Sequence, residues 1–211
     1  MKRKANSQNL FPSIPVPLYK LKAAQKVLKT VEKFRAYLTC LRVEFKDDSA
    51  LLIATNGYIL LAQSVKLKEN VGSGSFVIPR QIIEILPKLT KHNRNEPYLL
   101  TPTAVKGHPL SFGWENADFN FPNWRDVIPS DDYEKSLAKY DPKYVQLLND
   151  IGTVLHARSC EIHPNGEPKP ALVTFEQVAE AFGVIMPMKL GKLPTKKPFE
   201  IWEQETEEEF A

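Results

Sequence analysis

The feature that most limits how this chain can fold is an order of patterns that comes round three times. In each round, apolar residues at helical spacing give way to short strand-like runs broken by turn residues, over about 55 residues per round. The first helix is expected over 18–35, where Leu21, Ala24, Leu28, Val31 and Phe34 recur at three- and four-residue steps. Strands are expected at Tyr37 to Phe45, Ala50 to Ala54 and Tyr58 to Val65, turned at Lys46-Asp-Asp-Ser49 and at Asn56-Gly57. Asn-Gly tolerates the positive φ of a tight reversal. The second round follows Phe76-Val-Ile78, with Pro79 near a helix start and Ile82, Ile83, Ile85, Leu86 and Leu89 as an apolar face that Pro87 cuts short. Its strands are expected at Tyr98 to Leu100, Ala104 to Lys106 and Leu110 to Trp114. The third round opens near Asp141 with Tyr144, Leu147, Leu148 and Ile151, then runs through Ser159 to His163, Ala171 to Phe175 and Gly183 to Met188. Before the first round, Pro12, Pro15 and Pro17 forbid a helix, so residues 1–17 read as an extended arm.

Charge is spread unevenly. Residues 199–211 hold six glutamates and no base, so the preceding 198 residues carry a formal charge of +9 within a net +3. A basic body with an acidic tail (191–211) suits a polyanion partner, or a tail that shields a basic surface; a merely solubilising tail is the plainer alternative. Lys22, Lys26, Lys29 and Lys33 fall at helical spacing on one expected face without interleaved carboxylates. Such a face is either solvated or lies along something anionic. Arg80, Lys88, Lys91 and Arg94 make the neighbourhood of the second helix basic as well.

Enzyme chemistry finds little support. His92, His108, His156 and His163 fit no metal-ligand spacing, Gly72-Ser-Gly74 lacks a phosphate-loop context, and Asp47-Asp48 and Asp131-Asp132 are turn-type carboxylates. No catalytic residue, metal or cofactor is expected. Cys40 and Cys160 lack CxxC spacing, which fits free thiols in a reducing cytoplasm. No apolar segment follows Met1-Lys-Arg-Lys4 and no run nears membrane-spanning length, so a cytoplasmic chain without membrane contact is expected.

Two distant segments stand out, Ile53-Ala-Thr-Asn-Gly-Tyr-Ile-Leu60 and Gly183-Val-Ile-Met-Pro-Met-Lys-Leu190. Met186 and Met188 are the only methionines besides Met1, and unbranched thioethers suit an adaptable apolar surface. Ordinary core strands are the plainer alternative. Joined by Tyr37-Leu38, Phe76-Val-Ile-Pro-Arg80 and Phe121-Pro-Asn-Trp-Arg-Asp-Val-Ile-Pro129, they resemble, in order and spacing, segments of the bacterial DNA polymerase III beta subunit, the sliding clamp.

The resemblance implies an α+β chain with the DNA-clamp fold, built of about three helix-plus-antiparallel-strand half-modules, one complete clamp domain plus a partial one. Residues 18–130 would match the family's middle domain and 131–190 the end of its last domain. The family's first domain and the opening half of its third would be missing, and the compact size fits a phage- or prophage-type version. Ring closure would then need a different homo-oligomer, joined by edge strands. In the family, polymerases and repair proteins insert a Gln-x-x-Leu-Phe-like peptide into an apolar pocket. Here the resemblance places that pocket at Leu38, Thr55, Gly57, Tyr58, Ile59 and Leu60, with Pro122, Asp126 and Val127, and Val184, Ile185, Met186, Pro187 and Met188. Tyr58-Ile59 stands where the family has His-Arg, Asp126 where a base is common, and Lys189 for Arg, so a less basic pocket is expected. Lys22, Lys26, Lys29, Lys33 and Arg80 would face the phosphates of double-stranded DNA. The implied function is a clamp-like replication accessory protein that tethers partners to DNA. The alternative is a truncated homologue that binds clamp-motif peptides as a decoy or regulator without encircling DNA. Ser7-Gln-Asn-Leu-Phe11 itself ends like a clamp-binding peptide; a strand tacked onto the domain is the plainer reading, and occupation of a pocket on a neighbouring copy or a host clamp the alternative.

Overall fold

The computed structural model describes residues 12–108, 110–115, 120–129, 138–165 and 169–189. The arm segment Ser7–Phe11 and the acidic tail lie outside the described residues. Strand β1 (Ile14–Pro17) leads into helix α1 (Leu18–Leu28), then β2 (Cys40–Lys46), β3 (Ser49–Thr55), β4 (Ile59–Lys66) and β5 (Ser73–Pro79). Helix α2 (Arg80–Glu84) precedes β6 (Pro97–Leu100), β7 (Ala104–Lys106) and β8 (Ser111–Gly113). Helix α3 (Pro142–Leu155) precedes β9 (Cys160–His163), β10 (Ala171–Phe175) and β11 (Ala181–Ile185). Each of the three rounds is thus a helix followed by antiparallel strands.

What the repeat could not foretell is how the rounds associate. The first and third share one seven-stranded sheet, ordered β5-β2-β3-β4-β11-β10-β9, while the second joins β1 in a four-stranded sheet, β1-β6-β7-β8. The seam is β4 against β11, antiparallel, with Leu60 opposite Val184 and Ile59 opposite Ile185. One face of the large sheet is covered by helices: Leu21, Ala24 and Leu28 of α1 and Leu148 and Ile151 of α3 are buried in one apolar cluster with Leu52, Leu61 and Ile185. The other face is covered by the connecting segment, where Phe121 and Trp124 join Cys40, Ile53, Leu60 and Val184. That burial pushes the Cys40 thiol up to about 12, so it is inert at neutral pH.

A buried lysine braces the seam. Lys20, 4% exposed, donates from Nζ to the Ser64 carbonyl at 2.8 Å and pairs with Glu180 at 3.6 Å. Ser64 N also donates to the Glu180 carbonyl at 2.7 Å, so α1, β4 and the turn before β11 are tied at one point.

Four expectations need correction. The first helix ends at Leu28 instead of continuing to 35. The Thr30 hydroxyl donates to the Val27 carbonyl at 2.7 Å and accepts from Asn56 Nδ2 at 2.7 Å, so a long-range bond closes the helix where local spacing would have continued it. Lys33 therefore does not share a helical face with Lys22 and Lys26, whereas Lys29, the C-cap, keeps helical backbone and donates its N–H to the Gln25 carbonyl at 3.0 Å. Residues 36–38 form a 3-10 turn before β2, not a strand. Strand β11 stops at Ile185, before Met188. Lastly, residues 14–17 of the expected arm are a strand, with Ile14 and Val16 fully buried against β6. Their prolines alternate with the buried residues, as suits an edge strand. Among the described residues no helix is long and apolar enough to cross a membrane, and no group of three or more His, Cys, Asp or Glu side chains could hold a metal.

Candidate functional site

A pocket of about 280 Å³ opens at the β4–β11 seam. Four pieces of chain wall it. The β3–β4 turn is the most tightly built: Gly57 adopts φ +88°, and Asn56, almost fully buried, accepts from the backbone N–H of Tyr58 and of Ile59, each at 2.9 Å, through its side-chain oxygen. Thr55 Oγ1 donates to the Ile59 carbonyl at 2.7 Å and accepts from Gly57 N at 3.1 Å. These bonds fix the turn without help from a partner, and Thr55, Gly57, Tyr58, Ile59 and Leu60 line the pocket.

The 3-10 turn supplies Tyr37 and Leu38, and Arg35 stands just before it. Arg35 donates from Nη1 to the Asn56 carbonyl at 3.1 Å and from Nη2 to the Tyr58 hydroxyl at 3.3 Å, and pairs with Glu32 at 3.4 Å. Its guanidinium lies 4.6 Å from the Tyr58 ring centroid. Tyr58 in turn stacks on Tyr144 of α3 at 5.1 Å, with Lys143 Nζ 4.6 Å from the Tyr144 centroid. A cation-and-ring ladder therefore joins the first round to the third beside the pocket.

The connecting segment supplies Pro122, Asn123, Trp124 and Val127, β11 supplies Val184, and Met186 follows just after that strand. Glu44 on β2 holds the connector in place. Its carboxylate accepts from Arg42 Nε at 2.8 Å, Trp124 Nε1 at 3.1 Å and Arg125 Nη2 at 2.7 Å. Burial alone would push this carboxyl up, yet the hydrogen bonds from Arg125, Arg42 and Trp124 and the Arg125 charge hold it down at about 2.

Of the expected pocket residues, Leu38, Thr55, Gly57, Tyr58, Ile59, Leu60, Pro122, Val127, Val184 and Met186 come together around this one cavity. Ile185, Asp126, Pro187 and Met188 do not line it. Ile185 follows Val184 on a strand, so its side chain turns to the helix-covered face. Asp126 accepts from Asn123 Nδ2 at 2.6 Å at the surface, and Met188 has moved on to bridge Lys139. Arg35, Tyr37, Asn123 and Trp124 line the pocket without having been expected there. Asn123 and Trp124 were in plain view within the Phe121–Pro129 segment, whereas Arg35 lay in a stretch read as helix. Because Arg35 contributes a guanidinium, the pocket keeps a basic group despite the substitutions that pointed the other way.

The lysines expected to face DNA are dispersed. Lys22 Nζ donates to the Leu86 carbonyl at 2.8 Å and to Gln25 at 3.2 Å, and burial, with Lys29 nearby, lowers its pKa to about 8. Lys26 pairs with Asp150 of α3 at 3.3 Å, so the anionic neighbour that its spacing called for is internal. Arg80 pairs with Glu84 at 2.7 Å, while Lys29 and Lys33 are exposed.

No protein-family model and no curated protein matches this sequence. Solved structures do. The chain superposes on the DNA polymerase sliding clamp of Bacillus subtilis with a TM-score of 0.67 at 16% identity, over 90% of this chain and 68% of that one. The DNA polymerase III beta subunit of Thermotoga maritima gives 0.62 at 13% identity over the same shares. The Pseudomonas aeruginosa sliding clamp, solved bound to griselimycin, gives 0.64 at 14%, again over 90% and 68%. The chain has the sliding-clamp fold.

Proposed function

We propose that this protein is a sliding-clamp-like replication accessory protein whose pocket at the β4–β11 seam holds a short apolar-anchored peptide of a polymerase or repair protein. The observation that carries this reading is the convergence of four separate chain segments on one apolar cavity. The cavity lies at the same seam where the clamp resemblance puts a partner site. Its size, about 280 Å³, is at the lower edge of ligand sites, which start near 300 Å³ and suit a pair of side chains. Burying a Leu and a Phe contributes about 3–6 kcal/mol before ordering costs, so binding is expected to be weak and reversible. Backbone groups at the fixed 55–59 turn are suited to setting the peptide's register.

Whether the chain encircles DNA is a separate question, and the internal engagement of Lys22 and Lys26 favours the second reading, a peptide-binding decoy or regulator. A salt-sensitive, sequence-blind DNA contact would rest on Lys29, Lys33 and their neighbours. Edge strands β5 and β9 of the large sheet are where copies would pair to close a ring.

The test is fluorescence anisotropy of a labelled Gln-Leu-Ser-Leu-Phe peptide with the full chain and with a Tyr37→Ala, Met186→Ala variant; both side chains are partly exposed, so the fold is kept. Saturable binding weakened at least about tenfold, or 1.4 kcal/mol, in the variant supports the pocket. Equal binding by both proteins removes it. Retention on closed-circular but not linear DNA, together with the oligomeric mass, separates the two readings.

A further inference from the structure

We propose that, when no partner is present, this pocket is covered in cis by the chain's own C-terminal segment Phe199-Glu-Ile-Trp202. The inference rests on the reading of the pocket as a peptide site and names a built-in competitor for it.

Three observations carry it. The first is where the described chain ends. Met186 lines the pocket and its N–H donates to the Tyr58 carbonyl at 2.9 Å; Lys189, the last described residue, follows three positions later. The described chain therefore ends three residues past the pocket wall. The ten-residue step from Lys189 to Phe199 reaches at most about 36 Å, far more than a return to the rim requires. Gly191, Pro194 and Pro198 suit a linker that need not be helical.

The second is the chemistry of what leaves and what waits. Phe199, Ile201 and Trp202 form an apolar group between the basic Lys196-Lys197 pair and the glutamates that follow. Six large hydrophobic side chains are strongly exposed among the described residues, and Tyr37, Met186, Met188 and Phe34 are four of them. Tyr37 and Met186 line the pocket, Met188 follows it, and the Phe34 ring lies against Arg35, 5.6 Å from its guanidinium. The pocket rim thus has unpaired apolar surface matched to a Phe and a Trp. The third observation is charge. Lys139 and Lys189, exposed at the exit, make no ion pair with a described residue, and the segment that follows Trp202 carries Glu203, Glu205, Glu207, Glu208 and Glu209.

The N-terminal Leu10-Phe11 is the competing occupant. Its chain enters through β1, in the four-stranded sheet that contributes no strand to the pocket. The chain that leads to the C-terminal segment is last described three residues past the pocket wall, which gives that segment the advantage of proximity. A short tether gives an effective concentration in the millimolar range, so even a weak segment stays docked.

The experiment compares the full chain with its Phe199→Ala, Trp202→Ala variant, which keeps the linker and all the glutamates. One readout is the anisotropy of the labelled Gln-Leu-Ser-Leu-Phe peptide. The other is the 13C-methyl signal of Met186, resolvable because the chain has three methionines. The expected result is a Met186 signal that moves when the two rings are removed, is unchanged on hundredfold dilution, and accompanies at least about fivefold tighter peptide binding by the variant. An unmoved Met186 signal with equal affinities overturns this inference and leaves the peptide site standing. If neither protein binds the peptide and Met186 does not move, both fail. If neither binds but the signal moves, the cis contact stands and the partner peptide is wrong. A signal that reverts on dilution assigns the occupant to a second copy, and one that responds only to Leu10→Ala, Phe11→Ala assigns it to the N-terminal segment; either overturns the proposal.

Discussion

Replacing Glu44 by Gln should loosen the pocket without touching its lining. Glu44 is 17% exposed and receives three donors, from Arg42, Trp124 and Arg125. Its folded pKa, about 2, lies below the 4.5 of a free glutamate. A carboxyl whose pKa is depressed by folding adds stability that is complete above the unfolded value and is lost as pH falls through the folded one. The full shift corresponds to about 3 kcal/mol, and because Arg125 is 55% exposed, solvent screening brings the expected value to about 1.5–2.5 kcal/mol. Gln keeps the shape but turns an N–H2 toward N–H donors, so at pH 7 the variant should unfold at lower urea by roughly that amount. The gap should narrow between pH 4.5 and 2, where the parent loses the same charge. Trp124 faces the pocket, so peptide affinity at pH 7 should fall several-fold even though Glu44 contacts no peptide. Urea titrations at pH 7 and pH 3, with the peptide titration alongside, test this. A variant within about 0.5 kcal/mol of the parent at pH 7, or a gap of equal size at both pH values, refutes the bracing role.

Two further outcomes follow from local geometry. Gly57→Ala forces φ +88° on an L residue and drives a Cβ into Arg35 Nη1, so stability should fall by about 1–2 kcal/mol from the backbone alone, with Arg35 displaced from the pocket; an unchanged melting temperature contradicts this. Lys22 has a folded pKa of about 8 against 10.5 unfolded, so the unfolded state binds more protons between those values and stability should rise with pH across them. Lys22→Met should abolish that rise, by about 1 kcal/mol after screening, in urea titrations at pH 7.5 and 9.5.

Legibility in the sequence follows the range of the forces involved. Element order was legible because period-two and period-3.6 patterns are local, and β7 and β10 fall at the expected bounds. The Asn56-Gly57 turn was legible for the same reason, being self-contained in its hydrogen bonds. The end of α1 was not, since the helix is closed at Thr30 by Asn56 of the distant β3–β4 turn. Nor was the fate of the lysines: Lys26 meets Asp150, 124 positions away. Most pocket residues came from the resemblance. The structure adds that they converge, and that Arg35 completes the wall from a segment without any sequence signal.

The most direct test of a peptide site at the β4–β11 seam is a crystal structure with the Gln-Leu-Ser-Leu-Phe peptide at saturation. The expected result is the peptide's Leu and Phe side chains in the cavity between Leu38, Tyr37, Trp124 and Met186, with its backbone along the 55–59 turn. A peptide ordered on another surface, with this cavity empty, would contradict it.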